Sequence, residues 1–271
     1  MIKQAIIPLA GLGTRLLPLT SVFAKELLPI NGKPGLEYIL EECIEAGIKE
    51  VVFIISKKKM MIKKYFYNDK FYKDIINKKS DPIIIKEYKK ILKYKKMIRF
   101  VFQDKPLGTG DAVYKTKKFI TDKYFLMLLP DDLIIKKNCS KSMIAVHHKF
   151  KTSVMASMKV KKNDVSRWGI YNIKKKIDKN NFIIHNVIEK PSIKTSPSNN
   201  AVIGRYILPK TIFSKLKSLK PGKGGEFHIT DAIQALIDDN NKFIGHNFLG
   251  KYLDCGTMKG YIKSSLEISK K

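Results

Sequence analysis

Residues 5–15 read Ala-Ile-Ile-Pro-Leu-Ala-Gly-Leu-Gly-Thr-Arg, and Lys25-Glu26-Leu27-Leu28-Pro29 and Lys33-Pro34 follow. The apolar run Ala5, Ile6, Ile7 and Leu9 has the continuity of a strand buried on both faces. It empties into a loop with Gly11 and Gly13, where bare backbone N–H groups can approach a ligand closely. Arg15 ends that loop, and Lys25 adds a second cation. A buried strand, a glycine loop and two positive side chains make a site for a polyphosphate, because N–H groups and cations both answer negative oxygen. The spacing excludes two other phosphate loops. The pattern G-x-G-x-x-G fails at Leu16, and nothing here fits G-x-x-x-x-G-K-[ST]. Taken only as far as Gly13, the stretch reads equally well as a tight turn after a strand; Arg15 and Lys25 tip it toward phosphate.

The chain has 271 residues and a 44% hydrophobic content, enough for one large α/β domain. No run approaches the length of a membrane span, and the short apolar N-terminus flows into the glycine loop as a first strand rather than a signal peptide. Cys43, Cys139 and Cys255 are scattered, which argues against disulfides or a zinc site and for a reducing, cytoplasmic location. The net charge of +29 raises the question of nucleic acid. Only four of the 53 basic residues are arginine (Arg15, Arg99, Arg167, Arg205), although arginine is the residue suited to bidentate phosphate and base recognition. The lysine, isoleucine and asparagine excess is the composition that an A+T-rich genome gives, so the charge argues weakly for a nucleic-acid partner.

Strand-like and helix-like stretches alternate, which predicts βαβ units and a mixed, mainly parallel sheet flanked by helices. Strands are expected at 3–9, 51–55, 98–102, 124–129, 153–160, within 169–191 (two, with a turn at 174–181), 201–208 and 243–249. Helices are expected at 35–46, from 111, and at 141–150, 211–217, 228–239 and 257–268. The lysine-rich and tyrosine-rich segment 57–97 reads as solvated surface helices and loops.

The polar residues at the strand ends are the candidates for chemistry. Asp131 and Asp132 follow an apolar strand, at the edge where open α/β sheets bind ligands. A carboxylate there is a natural Mg²⁺ ligand, since Mg²⁺ takes one or two carboxylates plus substrate phosphates; a turn pair is the plainer alternative. Asp254 is the best second carboxylate, or else a cap on the final helix. Gln103, an amide before Gly108, either reads a base edge or sits at the surface. Glu189 and Lys190 suit sugar hydroxyls and a phosphate if the chain breaks at Pro191 so that both side chains share one side; otherwise they are an exposed pair. The five histidines offer no catalytic or metal-binding arrangement.

These residues fall within blocks that can be recognised together. Ile7 to Arg15, Lys25 to Pro29, Gly47 to Val52, Pro106 to Gly110, Leu129 to Asp131, Trp168 to Ile170, Glu189 to Pro191, Ser198 to Tyr206, Ile229 to Ala232 and Asp254 to Gly256 run nearly end to end. In them the chain resembles the bacterial UTP–glucose-1-phosphate uridylyltransferases of the sugar-nucleotide pyrophosphorylase family. The resemblance implies a Rossmann-like nucleotidyltransferase fold in one domain, with a nucleotide part over about 1–135, a sugar part over about 136–256 and a C-terminal helix over about 257–271. It implies UTP and glucose 1-phosphate as reactants, UDP-glucose and pyrophosphate as products, Mg²⁺ as the cofactor and a homo-oligomer, dimer or tetramer. Thymidylyltransferases of the same fold are the near alternative. By position, Ala10, Gly11, Gly13, Glu26, Gln103 and Gly108 match the nucleotide site. Arg15 and Lys25 match triphosphate contacts, and Asp131 and Asp254 match metal ligands. Gly169 and Glu189 match sugar contacts, and Lys190 matches the lysine on the sugar phosphate. Asp111 stands where that family usually has histidine, and the chain is short at its C-terminus, a departure that bears on oligomerisation.

Overall fold

In the computed structural model, which describes residues 1–270, thirteen strands are arranged as one large sheet and two ribbons. In chain order they are β1 (Gln4–Pro8), β2 (Pro29–Ile30), β3 (Lys33–Pro34), β4 (Glu50–Ile55), β5 (Ile98–Phe102), β6 (Tyr124–Leu128), β7 (Asp132–Ile135), β8 (Ser153–Lys159), β9 (Gly169–Lys176), β10 (Asn181–Glu189), β11 (Asn200–Pro209), β12 (Phe243–Asn247) and β13 (Lys251–Asp254). The nine-stranded sheet has the order β5-β4-β1-β6-β11-β8-β12-β10-β9, while β13 pairs with β7 and β2 with β3.

The continuous apolar runs fold as strands buried on both faces because their alternate residues feed two different cores. Ala5, Ile7, Val51, Phe53, Leu126 and Leu128 join one core; Ile6, Val52, Ile54, Phe125 and Met127 join the other. The helix Gly35–Glu45 covers the first face with Leu36, Ile39, Leu40 and Cys43. The helix Ile229–Asp238 covers the second with Ile229, Ala232, Ile233 and Leu236. These periodicities are the ones expected from the sequence, and the layers are helix, sheet, helix.

The expected mixed sheet is present, and its directions can now be given: β1, β4, β5 and β6 pair in parallel, as do β8 and β12, whereas β11 runs antiparallel to both β6 and β8, and β10 antiparallel to β9 and β12. Parallel pairs require long crossovers, and the loop between β9 and β10 is too short to be one. One expectation needs correction: the segment 57–97 is more than a solvated face. It forms helices Met60–Tyr67, Asp69–Lys79 and Pro82–Met97, and Ile62, Phe66, Ile91 and Tyr94 are buried in the first core. Scattered among lysines, those four residues give a weak period. The final helix spans Met258–Ser269; Lys271 lies outside the described residues. Among the described residues no helix is long and apolar enough to cross a membrane.

One buried ion pair locks the sheet to the helix above it. Arg205, on β11, is 0% exposed and meets Glu42 through both Nε and Nη2, the latter at 2.9 Å. Its remaining N–H groups reach the carbonyls of Leu129 (3.1 Å), Gly204 (3.0 Å) and Asp132 (2.5 Å). Gly204 has to be glycine: a Cβ there would stand 2.5 Å from both Asp132 Oδ2 and Leu129 Cβ. Breaking such a pair strands a buried charge, so Glu42→Leu should cost about 3–5 kcal/mol. The double variant Glu42→Leu/Arg205→Met should stay well below the wild type, because three carbonyls lose their donor. Urea denaturation measures both, and a double variant as stable as the wild type would remove the role assigned to those carbonyls.

Candidate active site

The turn Leu129–Asp132 links β6 to β7, and every nearby element pins its backbone. Arg205 holds the carbonyls of Leu129 and Asp132, the Leu129 N–H donates to the Gly204 carbonyl (2.8 Å), and the Cys255 N–H donates to the Asp131 carbonyl (2.8 Å). The Asp131 side chain is left to face the site. Its Oδ2 accepts from Lys25 Nζ at 2.8 Å and from Arg15 Nη2 at 3.2 Å. Burial alone would raise its pKa; Lys25 and then Arg15 outweigh burial and hold the carboxyl below the ordinary carboxylate range. Reciprocally, burial pulls Lys25 down, but Asp131 and Glu26 leave it raised. Asp132 differs from its neighbour. Burial first, and the Asp131 charge second, push its pKa up, and its oxygens accept from the Gly204 N–H (2.8 Å) and Tyr252 OH (2.7 Å). Asp132 therefore braces the turn.

Two cavities meet at this turn, and both are lined by Leu129 and Asp131. The first, about 500 Å³, lies at the C-terminal ends of β1 and β5. Ala10, Gly11, Gly13, Lys25, Glu26, Gln103 and Gly108 line it, so the sequence-predicted nucleotide residues converge on one space. Gly108 adopts φ +94, and a Cβ there would stand 2.6 Å from the Phe227 carbonyl, so only glycine fits. The second cavity, about 480 Å³, is lined by Arg15, Gly169, Glu189, Lys190 and Asp254. The break expected at Pro191 is present: β10 ends at Glu189, and Lys190 turns to φ +47. Both side chains thereby line the same cavity, with Lys190 Nζ 3.7 Å from Glu189 Oε1. Gly169 and Glu189 are paired across β9 and β10.

Asp254 pairs in register with Asp132 across β13 and β7. It accepts from the Gly256 N–H (2.8 Å) and Thr257 Oγ1 (3.2 Å), while Thr257, whose side chain accepts from the Gly260 N–H, caps the final helix. A Cβ on Gly256 would stand 2.8 Å from Asp131 Oδ2 and 3.2 Å from Asp254 Oδ1. The two carboxylates therefore flank one small space. Hard oxygen donors from two carboxylates, beside a space for phosphates, fit a divalent cation such as Mg²⁺.

Lys59 was missed in the sequence, hidden in a run of lysines at 57–59. It is 7% exposed, and its Nζ lies 2.8 Å from both Glu26 oxygens and 2.7 Å from the Leu9 carbonyl. Burial lowers its pKa against the pull of Glu26. Both Glu26 oxygens are therefore engaged by Lys59 in the cavity wall, and the pair anchors the base of the glycine loop. Glu226, from the segment before the helix Ile229–Asp238, lines the first cavity and has no signal in the sequence that singles it out. Asp111, left unassigned on sequence, accepts from Gln103 Nε2 at 2.7 Å.

Residues 4–271 match the family model of the nucleotidyl transferases. The chain belongs to the nucleotidyl transferase family. A UTP–glucose-1-phosphate uridylyltransferase of Staphylococcus saprophyticus is 35% identical over 271 residues, covering 100% of this chain and 93% of the relative. Among solved structures, a UDP-glucose pyrophosphorylase complexed with UDP-glucose superposes with a TM-score of 0.86 at 34% identity, covering 100% of this chain and 99% of the other. A Bacillus anthracis protein assigned as a glucose-1-phosphate thymidylyltransferase, in complex with a sucrose, has a TM-score of 0.76 at 22% identity over 97% of this chain and 94% of its own; that likeness is one of fold. The family is the one expected from the sequence blocks, and the chain is a nucleotidyltransferase enzyme.

The pairing of Lys59 with Glu26 carries a prediction for the loop it anchors. Lys59→Met strands the Glu26 carboxylate and frees the Leu9 carbonyl, and should cost about 3–5 kcal/mol. Lys59→Met/Glu26→Leu should regain part of that. Urea denaturation gives the test; a Lys59→Met protein that unfolds at the wild-type midpoint would show that the pair does not hold the loop.

Proposed function

We propose that the enzyme transfers the uridylyl group of UTP to glucose 1-phosphate, giving UDP-glucose and pyrophosphate. The observation that carries this reading is the shared wall: a cavity edged by a glycine loop and a cavity edged by Glu189 and Lys190 join at a single carboxylate, Asp131. Two anionic reactants placed in them would meet end to end. The named relatives support uridine and glucose as the groups at the two ends.

The chemistry asked of the chain is in-line displacement. A phosphate oxygen of glucose 1-phosphate bonds to the α-phosphorus of UTP while the bond from that phosphorus to the bridging oxygen of pyrophosphate breaks. A phosphate dianion is already a nucleophile, so no side chain need take a proton, and catalysis is positioning plus charge neutralisation. Lys190 brings in a reactant that the triphosphate would repel. Lys25 and Arg15 answer the charge that builds on the leaving pyrophosphate. The backbone of Ala10 and Gly11, with Gln103 and Gly108, holds the uridine, and Gly169 and Glu189 hold the sugar. Family members generally use a divalent metal, and Asp131 and Asp254 would hold it here, with Mg²⁺ the ion their hard oxygens suit. When bound, the ion supplies Lewis-acid stabilisation to the reacting phosphates. Residues up to about 135 serve the nucleotide and those after it mainly the sugar.

Asp131→Ala and Lys190→Ala should each lower turnover by about 10²–10³ while the fold survives. Pyrophosphate release, followed with UTP, dTTP, CTP and ATP against glucose 1-phosphate, is the assay, with circular dichroism as the check on folding. Wild-type turnover in either variant overturns the site assignment. Preference for dTTP over UTP in the unmodified enzyme overturns the substrate.

A further inference from the structure

Gln103 is 4% exposed, lines the first cavity and carries an amide whose two ends have opposite chemistry. Its Nε2 donates to the Gly108 carbonyl at 3.1 Å and to Asp111 Oδ2 at 2.7 Å. The two N–H bonds of the amide are thereby both used. Its Oε1 accepts from none of the described residues and is the end left for a ligand in the cavity. The orientation is set by its neighbours: a carbonyl and a carboxylate are both acceptors, so turning the amide over would set oxygen against oxygen twice. The carboxylate bond is the shorter and the charge-assisted one, and so the stronger of the two. Lys115 Nζ stands 3.6 Å from the other carboxylate oxygen, Oδ1, one helical turn on.

We propose that Asp111 is a positioning residue for base recognition: it holds Gln103 so that an amide oxygen, and not an amide nitrogen, faces the base. The proposal rests on the uridylyl reading and names the device within it. An amide oxygen accepts from the ring N3–H of uracil. Cytosine has a bare N3 there, whose lone pair would face Oε1. A buried site built to bond a donor discriminates strongly against an analogue that lacks it. Thymine carries the same N3–H, so the device separates uracil-type bases from cytosine and leaves dTTP to be excluded by other contacts.

Titration calorimetry of the full chain with UTP and with CTP, without sugar phosphate, reads the effect apart from turnover. In Asp111→Leu the dissociation constant for UTP should rise about tenfold, the scale of one charge-assisted hydrogen bond. CTP binding should change little, so the UTP-to-CTP preference should narrow by about the same factor. Asp111→Asn keeps a carbonyl acceptor and should restore most of the preference, which a merely structural role would not produce. In the pyrophosphate assay, KM for UTP should rise while kcat at saturation holds. Equal losses for UTP and CTP, or an unchanged preference in Asp111→Leu, overturn the proposal alone. A wild type that binds CTP as well as UTP overturns the uridylyl reading and this proposal with it.

Discussion

The site depends on the buried contact between Arg205 and Glu42. Both side chains are taken out of water, a desolvation cost that the pair must offset with close geometry and with every other N–H and oxygen satisfied. That condition is met. Glu42 also accepts from Ser140 through its hydroxyl and its backbone N–H, and Arg205 spends its remaining donors on three carbonyls around the Leu129–Asp132 turn. An arginine suits this place because its planar fork reaches several acceptors at fixed angles. A clamp of this kind stabilises less than an apolar core of the same volume. What it provides is a rigid turn at the sheet edge, so that a carboxylate is presented into a cleft without a flexible loop behind it.

Charge in the cleft is matched without a ligand. Lys25 and Arg15, suited to phosphate, rest on Asp131, suited to a divalent cation. On the proposed function, anion and cation arrive together, and each group would exchange one opposite charge for another. No buried ion then has to lose its partner before a replacement is in place, and that ordering keeps the energetic cost of binding low. Lys59 and Glu26 follow a different logic. They satisfy each other completely, 2.8 Å apart on both oxygens, and stay out of the exchange. Lys25, in the cavity wall, and Lys59, buried behind Glu26, thus have separate roles, decided by whether their carboxylate partner has other work.

Much of this was legible in the chain. Strands stood out where apolar residues run unbroken, because burial on both faces leaves no polar position in the pattern. The residues predicted at strand ends come together because strand ends share one edge of a sheet. What could not be read has physical causes. The antiparallel return of β11 against β6 leaves no mark, since a central strand is apolar whichever way it runs. The ribbons of β2 with β3 and β7 with β13 are two to four residues long, too short for a period to appear. Lys59 was lost in composition: among so many lysines, the one that is buried carries no distinguishing neighbour.

The same composition makes one acidic residue easier to interpret. In a chain with 24 acids and a net charge of +29, a carboxylate bonded to a cavity-lining amide stands against the trend. Asp111 is such a carboxylate, and a histidine in its place would not supply the same chemistry. Imidazole can present an N–H as well as a lone pair, whereas a carboxylate only accepts. Toward Gln103 the aspartate is unambiguous, and the amide has one orientation open to it. Selectivity for a base edge then follows from an acceptor that cannot become a donor, with the two neighbouring acceptors, Gly108 and Asp111, supplying the constraint.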